Sequence, residues 1–319
     1  MKKRLFIQRE SSSISLEMLF EKFILFKKMN NVSVETIIYY EHCFRFFGEY
    51  YDVSLACNTV NMEVFHGYIQ HLQKKTIKPI TINSYLRGMR VILYYGMELG
   101  YIRDFKISLI KADKEIKETY TDRELEILLE RPDVGKCSFA EYRTWVIINY
   151  LLGTGNRLST MANVKNKDID FCNGLITLTK TKNRKQQLIP LSSALSKILK
   201  EYLIYRAGSP DDYLFCNSYG EQLAKYGIQS SIKRYNTKRG VTKCSIHLFR
   251  HTFAKNWILN GGDIFRLQRI LGHSSLDIVK EYVNIFGTDL QRQFDEFNPL
   301  DNITMKTVQA KTRLKMPRK

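Results

Sequence analysis

The chain has 319 residues, 44% of them hydrophobic, with 50 basic and 32 acidic side chains for a formal net charge of +18. That length exceeds one ordinary core and predicts two domains, and the hydrophobic content excludes a disordered polyelectrolyte. The charge favours a polyanionic partner such as nucleic acid, although lysine-rich surfaces also serve solubility alone.

The basic excess is uneven. Residues 1–118 carry 18 basic and 13 acidic side chains, and residues 119–319 carry 32 and 19. Six cysteines are scattered singly, with neither Cys-x-x-Cys pairs nor zinc-ligand spacing, which predicts reduced thiols rather than a disulfide scaffold. Met1-Lys2-Lys3-Arg4-Leu5-Phe6 lacks the apolar stretch of a signal peptide, and no apolar run approaches the roughly 18 residues of a membrane span. The expectation is a cytoplasmic protein with access to DNA and no membrane partner.

In chain order, residues 1–14 are basic and serine-rich and are expected to be flexible. Leu16, Leu19, Phe20, Phe23 and Ile24 then recur at helical spacing. Ser33 is placed to cap a second helix bearing Ile37, Tyr40 and Phe44. Thr59 is expected to open a third with Phe65, Tyr68 and Leu72, and Pro79 to break the chain before a fourth running from Thr81 to near Gly100. Residues 15–103 thus read as a small all-helical domain whose basic residues include Lys74, Lys75, Lys78, Arg87 and Arg90, a set that a solvated face of a plain bundle would also carry.

Residues 104–118 are charged and weakly patterned, as an interdomain linker would be. Thr121 and Glu124 form a capping box, so a second domain is expected over 119–300, followed by a basic tail at 301–319. Cys137 to Leu152 is predicted helical, and Gly153-Thr154-Gly155 ends it just before Arg157. Gly174–Thr179 and Gln187–Leu191 have strand composition, and Lys180, Lys182, Arg184 and Lys185 fill the turn between them. That turn suits a DNA groove or simply water. The expected class is mainly α, with one small β-hairpin in the second domain.

The chemistry concentrates late. Cys244-Ser245-Ile246-His247-Leu248-Phe249-Arg250-His251 is followed by Leu271-Gly272-His273 and, nine residues on, by Tyr282. Phosphoryl transfer needs cations for the phosphate oxygens, an in-line nucleophile and groups that move protons. Arg157 and Arg250 can be forked cations, His247 and His273 the imidazoles, a lysine the acid and Tyr282 the nucleophile. Three close imidazoles could instead bind zinc, but Arg250 between His247 and His251 is an awkward neighbour for a dication. His251 reads as structural, and any one of these residues alone would pass for a surface side chain.

Their order, Arg, Lys, His-x-x-Arg, Leu-Gly-His, Tyr, resembles the tyrosine recombinase (phage integrase) family over about residues 15–290. The resemblance implies a helical core-binding domain and a catalytic domain in a Xer-like, transposon or simple-integrase layout. No arm-binding domain is expected ahead of the first helix. It implies Tyr282 as nucleophile forming a 3′-phosphotyrosyl bond, with Arg157, Arg250 and His273 on the phosphate oxygens. Lys182 would be the acid (Lys180 the alternative) and His247 would assist at the tyrosine. No metal, ATP or other cofactor is implied. The implied partners are a specific double-stranded DNA site and three further copies in a homotetramer, with room for accessory proteins. Two departures stand out: Thr160 occupies a position that is often acidic in the family, and Asn284 one that is often histidine. A type IB topoisomerase, a non-catalytic DNA-binding regulator and a zinc nuclease are the rival readings.

Overall fold

The structure is a computed structural model that describes residues 14–113, 118–179 and 186–272, together with 275, 276, 280, 282, 298 and 300. It divides into two units, Met1–Glu115 and Ile116–Lys319, each with its own core. No described helix is long and apolar enough to cross a membrane.

In the first unit, α1 (Leu16–Met29) starts where the Ser15 hydroxyl accepts from the Met18 amide, and α2 (Val34–Gly48) is capped by Ser33. Helix α3 (Met62–Gln73) is capped by Asn61 rather than Thr59, because Cys57–Thr59 forms a separate 3-10 turn. Pro79 does not break a helix. It occupies the first turn of α4 (Pro79–Glu98), where its missing N–H would have had no helical partner.

The four helices bury Leu19, Phe23, Phe47, Phe65, Tyr68, Leu86, Met89 and Leu93. Each such side chain contributes roughly 1.5–3 kcal/mol through area removed from water. Phe20 stacks on Phe44 with ring centroids 4.0 Å apart, fastening α1 to α2. The first half of the stretch expected as a linker is packed instead. Ile107 is buried in this core, and the Asn83 side chain donates to the Ile110 carbonyl (2.9 Å) and accepts from its amide (3.0 Å). A buried amide at Asn83 needs two partners, and an extended backbone supplies both.

The second unit is built around α6 (Phe139–Thr154), which is apolar nearly all round and packs against α5 (Asp122–Leu129), α8 (Ser193–Arg206), α9 (Lys225–Lys238) and α10 (Ile246–Leu259). Thr121 and Glu124 do form the reciprocal capping box at α5. Two short helices, α7 (Leu158–Met161) and α11 (Ile264–Leu271), also belong to this unit.

The sheet has three antiparallel strands in the order β1 (Ile169–Asp170), β2 (Leu175–Leu178), β3 (Gln187–Pro190). Ile176 pairs with both Ile169 and Ile189, so one buried row faces the helices. The β2–β3 hairpin matches the sequence reading, whereas β1 is too short to show a period of two. The fold is mainly helical with one small sheet, as expected.

Candidate active site

Arg157 follows a backbone turn fixed by its neighbours. Helix α6 ends at Gly155, whose φ of +62° is left-handed and whose amide donates to the Leu151 carbonyl. The next residue, Asn156, donates from its side chain to the Tyr150 hydroxyl (3.0 Å) inside the core. Arg157 is then the N-cap residue of α7. It is half-buried, and no described carboxylate pairs with it. Burial pushes its guanidinium below the ordinary value, and Tyr282 acts in the opposite direction.

Helix α10 turns Ile246, Leu248 and Phe249 inward, which fixes the rotation of the helix. His247, Arg250 and His251 share one turn on another face, at spacings of three and four residues. Arg250 is only 5% exposed. It donates from one terminal nitrogen to the Gly155 carbonyl and from the other to the Leu271 carbonyl, both at 2.8 Å. Burial first, and then the charge of Arg157, lower it to about 10, again opposed by Tyr282. It therefore remains a cation at neutral pH.

Helix α11 ends on Gly272, with φ +61°. The Gln187 side chain at the start of β3 donates to the Arg269 carbonyl and, at 2.8 Å, to the Ile270 carbonyl. One side chain thus ties the turn end of the β2–β3 hairpin to the end of α11.

Tyr282 is 2% exposed, set among Ala254, Leu267 and Leu271. Its hydroxyl lies 2.7 Å from Nδ1 of His251, a hydrogen bond. His247 is exposed, and its ring makes no hydrogen bond among the described residues.

Of the six residues singled out from the sequence, Arg157, Arg250 and Tyr282 are brought into one neighbourhood, and His247 lies one turn from Arg250. Lys182, the alternative Lys180, His273 and Asn284 lie outside the described residues. Thr160 is buried in α7. Sequence reasoning passed over Asn156, Gln187 and the contact made by His251. Only His251 had a signal, its place in the His-x-x-Arg-His string.

Two guanidinium groups and a phenol form a site suited to a phosphate diester. The arginines can neutralise the non-bridging oxygens, and the phenol can attack phosphorus. Residues 118–287 match the Phage integrase family, and residues 16–112 match the phage integrase SAM-like domain. The chain belongs to the phage integrase family.

Its relatives agree with that placement. Tyrosine recombinase XerD of Listeria innocua serovar 6a is 24% identical over 293 residues, 88% of this chain and 97% of the relative. Tyrosine recombinase XerC of Chlamydia caviae is 29% identical over 240 residues, 73% of this chain and 76% of the relative. Among solved structures, the Tn1549 transposon integrase in complex with a circular intermediate DNA superposes with a TM-score of 0.70 at 22% identity, covering 85% of this chain and 95% of that one. A lambda integrase dimer bound to a core site superposes with a TM-score of 0.67 at 14% identity, covering 83% and 97%. These family members establish this chain's class: a tyrosine recombinase, an enzyme of site-specific DNA recombination.

Proposed function

We propose that this recombinase cuts and rejoins double-stranded DNA through Tyr282. The hydroxyl of Tyr282 attacks a backbone phosphate, a 3′-phosphotyrosyl bond forms, and the bond to the 5′-oxygen breaks. Arg157 and Arg250 hold the non-bridging oxygens together with His273. Lys182 gives its proton to the leaving 5′-oxygen, and an imidazole of α10 assists at the tyrosine. The ester conserves the energy of the broken bond, so attack by a 5′-hydroxyl of another strand reseals the DNA without ATP. The guanidinium charges take the part that a metal ion plays in other phosphoryl transfers.

The observation that carries this reading is the meeting of Arg157, Arg250 and Tyr282 at one largely buried place, close enough that each arginine responds electrostatically to the phenol. Arg250 also braces two turns, but Arg157 pairs with no described carboxylate, and two cations beside a hydroxyl from a distant part of the chain suit an anion between them.

The working form we propose is a homotetramer on two DNA sites in the cytoplasm, serving a mobile genetic element. Leu290, Phe294, Phe297 and Leu300 follow the tyrosine and give the segment after it apolar side chains suited to docking on a neighbouring subunit.

A plasmid carrying two copies of the sequence flanking the gene tests the reaction. Incubation with the protein should yield deletion or inversion products that are absent with Tyr282→Phe. Supercoil relaxation with no exchanged products would support a type IB topoisomerase instead.

A further inference from the structure

The tyrosine hydroxyl has a neighbour that the roles above leave unused. Nδ1 of His251 is 2.7 Å from it, the ring centroids are 5.6 Å apart, and the planes are inclined by 49°. That is within the reach a base needs to take a proton directly. His247 makes no hydrogen bond among the described residues and faces solvent. We propose that His251, rather than His247, is the catalytic base that holds the Tyr282 hydroxyl and removes its proton during attack.

This inference rests on the reading of Tyr282 as the nucleophile. A phenol with an ordinary value of about 10 is protonated at neutral pH, so attack requires a proton acceptor. Nδ1 accepts only in the tautomer that carries its proton on Nε2. Tyr282 sits against Ala254, Leu267 and Leu271, an apolar surround that keeps water from competing with the ring for the hydroxyl.

The step balances within the site. An Oη lone pair forms the bond to phosphorus as the P–O5′ bond breaks. The hydroxyl proton moves to Nδ1 and leaves an imidazolium, while the leaving oxygen takes its proton from the separate acid. In the return reaction the incoming 5′-hydroxyl attacks phosphorus and gives its proton to the now deprotonated acid, while the P–Oη bond breaks and the imidazolium returns its proton to the departing tyrosine.

The test is single-turnover formation of the covalent protein–DNA complex on nicked duplexes from both flanks of the gene. Each duplex is made with either oxygen or bridging sulfur at the 5′ leaving position. A sulfur leaving group needs no acid, so it should rescue Lys182→Ala. It should not rescue His251→Ala, which is expected to be slower than wild type by about 100-fold or more on both substrates, with DNA affinity retained and the rate partly restored by added imidazole. His251→Asn provides a second arm if the alanine variant unfolds. Its amide oxygen can accept the hydrogen bond but cannot take the proton, so it should fold and remain slow. Near-wild-type rates for the folded His251 variants would overturn the proposal. So would a His251 defect cured by sulfur, or a sulfur-insensitive defect confined to His247→Ala. A wild-type protein that forms no covalent complex on either duplex would instead count against Tyr282 as nucleophile.

Discussion

Arg250 donates to the carbonyl of Leu271, the last residue of α11, at 2.8 Å, and its other terminal nitrogen binds the Gly155 carbonyl at the end of α6. One buried guanidinium therefore links the turn leading to Arg157 with the turn leading to His273. Removing it leaves two buried acceptors without their donor, at about 1–3 kcal/mol each before relaxation. Arg250→Ala is expected to lower unfolding stability by about 2–3 kcal/mol in a urea titration and to abolish covalent-complex formation. Arg250→Lys keeps a charge but not the fork, so it should recover part of the stability and little of the activity.

Gly155 is held by geometry on two counts. Its φ is +62°, and a Cβ there would meet Phe253 at 2.7 Å and Leu271 at 2.8 Å. Gly155→Ala combines backbone strain with overpacking, expected to cost about 1–3 kcal/mol. Because the same residue's carbonyl binds Arg250, cleavage should fall more steeply than stability. Thermal melts and single-turnover cleavage on one preparation would check both.

The Tyr150–Asn156 hydrogen bond fixes the residue immediately before Arg157. Tyr150→Phe keeps the ring but leaves the buried Asn156 amide without its acceptor, a loss of about 1–2 kcal/mol. DNA cleavage is expected to weaken while non-specific DNA binding holds, since the change reaches the site through Arg157. Filter binding run beside cleavage would separate the two effects.

Glu141 should contribute to acid sensitivity. Lys238 donates to both of its oxygens, at 3.0 and 3.2 Å, and Arg239 donates to one at 3.2 Å. The Lys238 bond foremost, aided by Arg239, holds the Glu141 carboxyl below its ordinary value despite an opposing effect of burial. A carboxylate depressed on folding stabilises at neutral pH, and that contribution disappears as pH falls through the carboxylate range. Glu141→Gln should cost about 1 kcal/mol or less at pH 7 and flatten the acid limb of a stability–pH curve.

Local chemistry was the legible part of the fold. Ser33 and Thr121 were found as caps because a cap depends on residues three or four apart. Thr59 and Asn61, two positions apart, both offer a cap, and the 3-10 turn that leaves the role to Asn61 forms only in the folded chain. The strap formed by Ile107 and Ile110 looks like linker in the sequence because its partner, Asn83, is 27 residues from Ile110. At the site, the residue types and their order were visible through resemblance. The tie from Arg250 to Gly155, 95 residues away, and the contact of His251 with Tyr282 exist only after folding.

The most direct test concerns Tyr282 itself. Nicked, labelled DNA from the flanks of the gene is incubated with the protein in EDTA and run on a denaturing protein gel. The expected result is a protease-sensitive covalent band that is lost in Tyr282→Phe. A band that survives Tyr282→Phe, or the absence of any band from the wild type on these DNAs, would contradict it.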